Sequence, residues 1–156
     1  MKGKAPTRVV VDASVLLAFY LPAEPYKAQA LVLLGDATAG LVRFVVPTLT
    51  RYEVLNVLSS AVRGVKGKRK LSVDDALEIM TAMSKLALEE HDITGLEEQI
   101  VKLSQGHHRS AYDAAYLALA EHLVVDFLTG DKHLYNAMKA RCKHVKFVGD
   151  YEPFGT

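Results

Sequence analysis

Along this chain, short runs of consecutive β-branched and apolar residues alternate with longer segments whose apolar positions recur every three to four residues. The runs are Arg8–Val11, Arg43–Val46, Val124–Thr129 and Val145–Val148. Each predicts a strand, and the first two, which lack the polar alternation of a half-exposed strand, predict strands covered on both faces. The segments between them predict helices. Ser14–Tyr20 follows the first strand, and Pro22 and Pro25 then mark a loop. Tyr26–Ala39 is closed by Gly40 as a C-terminal stop. Thr50-x-x-Glu53 opens a helix to Arg63, Ser72-x-x-Asp75 one to Glu90, and Thr94-x-x-Glu97 one to Gln105, each with capping-box spacing. Asp131–Arg141 is the last helix. Gly64 to Lys70, His91–Ile93 and Gly106–His108 read as a loop, an extended connector and a turn, and the tail Gly149–Thr156 is expected to pack loosely.

The most strongly helical stretch is Ser110–Glu121, rich in alanine and leucine and free of glycine and proline. Tyr112, Ala115, Tyr116 and Leu119 make one apolar stripe along it. Asp113 shares a face with Leu117 and Ala120. A carboxylate among apolar neighbours is costly unless it is paired. Ser110-x-x-Asp113 also has capping-box spacing, and helix N-termini favour acids, so a purely structural role for Asp113 stands beside a chemical one.

Buried strands alternating with helices predict an α/β fold: a three-layer sandwich with a central parallel β-sheet flanked by helices. No repeat, low-complexity tract or linker divides the chain, so residues 1–156 read as one domain. In such folds ligands bind beyond the C-terminal ends of the strands. Asp12 directly follows one strand and Asp131 closely follows another. Each of Asp12, Glu53, Asp113 and Asp131 is accounted for singly as a cap. Together they fall at strand-to-helix junctions or in first helical turns. Four converging carboxylates repel one another unless a divalent cation neutralises them, and Mg²⁺ or Mn²⁺ takes such oxygen ligands. Ser14 and Thr129 are placed to orient such ligands or a water.

The stretches Val10-Val11-Asp12-Ala13-Ser14, Glu53-Val54-Leu55-Asn56, Tyr112-Asp113-Ala114-Ala115 and Leu128-Thr129-Gly130-Asp131 together resemble the motifs of PIN-domain nucleases, in the right order and over nearly the whole chain. The VapC-like toxins of toxin–antitoxin pairs are the nearest resemblance. It implies a PIN-like fold and a metal-dependent endoribonuclease. Asp12, Glu53, Asp113 and Asp131 would hold one or two Mg²⁺ or Mn²⁺ ions, with Ser14 and Thr129 in support. It further implies an RNA substrate, a small antitoxin partner and a homodimer. An antitoxin groove leading to the acids is expected beside Leu31, Leu34, Val54 and Leu58.

Composition narrows the picture without deciding it. Lys and Arg number 19 against 18 Asp and Glu, so affinity for nucleic acid has to come from local patches. Arg63, Lys66, Lys68, Arg69 and Lys70 form one candidate RNA-binding patch, and Lys139, Arg141, Lys143 and Lys146 a weaker one. The single Cys142 excludes an internal disulfide and a Cys-rich zinc site, and fits a reducing, cytoplasmic setting. Asp12 interrupts the apolar stretch of a would-be signal peptide, and no apolar run is long enough to span a bilayer. The His107-His108 pair lacks partners at metal-ligand spacing. A haloacid-dehalogenase-like phosphatase needs a second aspartate where Ser14 stands, and a receiver domain needs an acidic pair at the start of the first strand. The remaining alternative is a non-catalytic interaction module whose acidic pocket binds a basic partner segment.

Overall fold

The computed structural model describes residues 4–22, 24–66, 68 and 70–154, which leaves Arg69 of the basic loop outside the description. The strands are β1 (Thr7–Val11), β2 (Val42–Pro47), β3 (Glu89–His91), β4 (Asp126–Thr129) and β5 (Val145–Phe147). They form one sheet in the order β3-β2-β1-β4-β5, and every pairing is parallel. Val10 in the middle of β1 pairs with Val45 on one side and Phe127 on the other. The chain therefore winds outward from β1 in one direction, then crosses back to build β4 and β5 on the opposite side. At such a switch point the connections leaving two neighbouring strands diverge and open a crevice at their C-terminal ends.

The helices are α1 (Ala13–Ala18), α2 (Lys27–Thr38), α3 (Leu49–Arg63), α4 (Val73–Ser84), α5 (Glu97–His107), α6 (Ala111–Leu123) and α7 (Lys132–Met138). The two-residue period of the strands sorts them into layers. Val10 packs with Ile100, Ala118, Leu134 and Met138 of α5, α6 and α7. Its neighbours Val9 and Val11 pack on the other face with Val15, Leu16, Ala30 and Leu33 of α1 and α2. A third cluster of Ala13, Leu17, Val54, Leu58 and Ala76 joins α1, α3 and α4. Every residue of α6 from Ala114 to Ala120 is buried, as a helix that is apolar all round requires. Tyr112 leaves the expected stripe and is 66% exposed.

Several local expectations give way to tertiary contacts. The helix expected from Ser72 to Glu90 ends at Ser84, and Glu89–His91 is an edge strand on β2. Its residues favour a helix, but pairing beside Val45 and ion pairs from Arg8 to Glu89 and Arg51 to Glu90 hold it extended. Thr50 does not cap α3, which begins at Leu49; the Thr50 side chain is buried and bonded to Tyr116. Thr94 does not cap α5, which begins at Glu97. The tail does not pack loosely over its described part: Asp36 accepts hydrogen bonds from the Tyr151 hydroxyl (2.7 Å) and the Phe154 N–H (3.0 Å). Val54 and Leu58 are core residues rather than walls of a groove.

Candidate active site

The crevice at the switch point is built from a local chain of caps. Asp12 ends β1 in an extended conformation and caps α1, accepting from the Val15 N–H at 3.3 Å. The same carboxylate accepts from the hydroxyls of Ser14 and Thr129. Ser14 in turn accepts from the Gly130 N–H at 2.9 Å, and Thr129 from the Asp131 N–H at 3.0 Å. Asp131 caps α7 through Leu134 N–H at 3.0 Å. Thus the two hydroxyls tie the ends of β1 and β4 together around one buried carboxylate. Gly130 has to be glycine here, because a Cβ would come within 2.3 Å of the Tyr26 hydroxyl.

Glu53 and Asp113 approach from the helices on the other side of the crevice. Glu53, on α3, accepts from the Tyr116 hydroxyl, which also bonds Thr50 at 2.9 Å. Asp113 lies in the first turn of α6, where Ser110 caps its backbone N–H at 3.1 Å. Its carboxylate does not return to Ser110, as a full capping box would require. It accepts instead from Arg109 Nε at 3.1 Å, and Arg109 Nη2 stands 3.0 Å from the same oxygen as an ion pair. The same Nη2 stands 3.8 Å from an Asp131 oxygen.

Asp12, Glu53, Asp113 and Asp131 all line one cavity, with Ser14, Tyr116 and Asn56. Burial, opposed by its hydrogen bonds and reinforced by the charge of Glu53, pushes the Asp12 carboxyl up to about 6. Burial and the charge of Asp113 likewise raise Glu53, while the bond from Tyr116 lowers it. These carboxylates are short of a compensating cation. The donor set is hard oxygen throughout, which suits Mg²⁺ or Mn²⁺ rather than a soft metal. Among the described residues no three Asp, Glu, His or Cys side chains stand close enough to grip an ion directly. Mg²⁺ retains several waters and needs only one or two direct carboxylates, so the residues fit a hydrated ion.

Sequence reasoning missed three neighbours of this cavity. Arg109 was recoverable from its i,i+4 spacing to Asp113. Tyr116 was read as stripe packing, yet its ring stacks on Phe127 while its hydroxyl reaches Glu53. Glu24 also lines the cavity, from the proline-bounded loop, and nothing local marks it. The apolar wall beside the acids comes from Leu17, Leu21 and Val57 rather than from the α2 positions. Arg63, Lys66, Lys68 and Lys70 are exposed. They sit at the far end of α3, about 15 Å along its axis from Glu53. His107 faces Cys142 at 3.4 Å and is not among the residues lining this cavity.

The PIN-domain profile matches residues 9–139. Ribonuclease VapC9 of Mycobacterium tuberculosis is 31% identical over 134 residues, which cover 86% of this chain and 94% of that protein. A crystal structure of PAE2754 from Pyrobaculum aerophilum superposes with a TM-score of 0.63 at 19% identity, covering 95% of this chain and 90% of that one. A toxin–antitoxin complex from Klebsiella pneumoniae superposes with a TM-score of 0.60 at 17% identity, covering 92% and 98%. With its five-stranded parallel sheet, its acids gathered at the switch point and a match that spans most of its length, this chain belongs to the PIN-domain family.

Proposed function

We propose that the chain is a Mg²⁺- or Mn²⁺-dependent endoribonuclease acting in the cytoplasm, the toxin of a toxin–antitoxin pair, and that residues 1–156 form one nuclease unit. The observation that carries this reading is the gathering of Asp12, Glu53, Asp113 and Asp131 from separate elements onto one cavity at the switch point. Similarity to a VapC ribonuclease supports RNA as substrate, and the fold shared with a toxin–antitoxin complex supports a small antitoxin partner. In this reading a homodimer is the working assembly.

Asp12, Glu53, Asp113 and Asp131 would hold one or two ions. A divalent ion there supplies Lewis acidity, activating water and neutralising charge on the scissile phosphate. Ser14 and Thr129 keep Asp12 oriented, since both donate to it while accepting from the backbone after β4. Tyr116 does the same for Glu53. Arg63 at the end of α3, with the exposed Lys66, Lys68 and Lys70 beyond it, tracks the RNA backbone away from the reacting phosphate.

The test is cleavage of single-stranded RNA with Mg²⁺ or Mn²⁺, with and without chelator, beside variants Asp12→Asn and Glu53→Gln. Cleavage should require metal and fall by at least a hundredfold in each variant. Metal-independent cleavage by the unaltered protein would overturn the metal assignment, and no cleavage at all would leave the interaction-module reading in its place.

A further inference from the structure

We propose that Arg109 is a substrate-phosphate ligand held in reserve: its guanidinium lies across Asp113 and Asp131 in the free protein and turns to an RNA phosphate once a divalent ion takes those carboxylates. This rests on the nuclease reading above.

Four observations carry it. First, Arg109 spans acids from two different elements, α6 and the cap of α7, as a bridging cation would. Second, its one hydrogen bond to Asp113, from Nε, and the ion-pair contact of Nη2 both fall on the single oxygen Oδ2. That is not the two-oxygen fork that a guanidinium makes with a dedicated carboxylate partner. Third, Arg109 directly precedes the cap residue of α6. The helix dipole disfavours a cation at that end, so helix stability does not explain its presence. Fourth, its backbone is pinned by bonds of its own, independent of where the side chain points. Its N–H donates to Ser104 O at 3.1 Å and its carbonyl accepts from Ser104 Oγ at 2.6 Å. The side chain remains 26% exposed.

The chemistry of the cavity calls for such a residue. Among the described residues its lining includes five acids, counting Glu24, and no Lys or Arg. A phosphodiester entering it meets negative charge on several sides, and Arg109 at the rim is within reach of two of those acids. The planar fork of arginine matches two phosphate oxygens better than a lysine point charge does. An ion that claims Asp113 and Asp131 frees that fork beside the phosphate it has attracted.

The experiment uses the full chain, Arg109→Gln and Arg109→Lys, each checked by thermal melt. Mn²⁺ alone is titrated calorimetrically, and RNA cleavage with Mn²⁺ is then followed against salt. Removing the competing cation should make Arg109→Gln bind Mn²⁺ several-fold more tightly. The same variant should raise KM for RNA about tenfold, and the slope of log KM against log salt should fall by roughly 0.7, the loss of one phosphate contact on a single strand. Arg109→Lys should bind Mn²⁺ nearly as the unaltered protein does while still raising KM, because it keeps the charge and loses the fork. If Arg109→Gln does not fold, Arg109→Lys decides: an unchanged KM overturns the proposal. Unaltered protein that binds Mn²⁺ and cleaves RNA, beside an Arg109→Gln variant with the same Mn²⁺ affinity and salt slope, overturns this inference alone. Unaltered protein that neither binds Mn²⁺ nor cleaves overturns the nuclease reading and this inference with it.

Discussion

The Tyr116 hydroxyl donates to Glu53 at 2.5 Å, joining the second turn of α6 to α3 across 63 residues of chain. Tyr116 is 2% exposed, and its ring is stacked on Phe127 with centroids 5.6 Å apart. A rigid aromatic therefore sets where one oxygen of Glu53 points and leaves the other for the cavity. Burial and the bond to Glu53 hold the phenol far above its ordinary range, so it serves only as a donor.

Tyr116→Phe should keep the ring packing and lose this orientation. Stability should fall by about 1–3 kcal/mol, since Thr50 and Glu53 lose a buried partner. The Glu53 carboxyl should move further up, because the bond that lowers it is gone. Mn²⁺ affinity and kcat should both fall, and the pH profile of cleavage should shift to higher pH. An unchanged profile in a folded variant would limit Tyr116 to a packing role.

Stability of the metal-free protein should decline as pH rises from about 4 to 6. Asp12 titrates at about 6 when folded, against an ordinary 3.8. The folded state thus binds the proton more tightly than the unfolded state. The stabilisation is complete below 3.8 and is lost as pH rises through 6; at about 1.4 kcal/mol per pKa unit it amounts to about 3 kcal/mol. Glu53 acts in the same direction. Asp12→Asn should flatten the decline, and saturating Mn²⁺ should reverse it, both measurable as melting temperature against pH.

Asp113→Asn separates the two roles of the first turn of α6. The cap at Ser110 uses the backbone of Asp113, so it survives the substitution. Metal-free stability should change by about 1 kcal/mol or less, while the Mn²⁺-induced rise in melting temperature and the cleavage rate should collapse. Full cleavage with an undiminished Mn²⁺ shift would remove Asp113 from the site.

Asp36→Ala should release the tail without touching the chemistry. Asp36 is 9% exposed and receives the Tyr151 hydroxyl and the Phe154 N–H. It lies on α2, which runs back to the edge where β2 begins, opposite the acids. Stability should fall by about 1–3 kcal/mol, the Phe154 amide should exchange faster with solvent, and kcat should hold.

The sequence alone determined those features whose physics is local. Short apolar, β-branched runs bounded by turn residues favour buried strands, which is why β1, β2 and β4 and the parallel α/β layering were legible, with β5 as a shorter run interrupted by the exposed Lys146. Capping follows from chemistry within a few residues, so Asp12, Asp131, Ser72 and Ser110 were correctly placed as caps. Asp12, Asp113 and Asp131 could be named because each sits at such a junction, whereas Glu53 lies beyond the first turn of α3 and was marked by its motif instead. Only the tertiary structure decided what depends on long-range pairing. β3 is strand rather than helix because β2 offers an open edge to pair with, a term absent from its own propensity. Tyr116 became the partner of both Thr50 and Glu53 only when α6 was buried against α3. The tail closes on Asp36 across 115 residues of chain. Helical spacing encodes the pairing of Arg109 with Asp113, but its approach to Asp131 arises only where α6 packs back against β4.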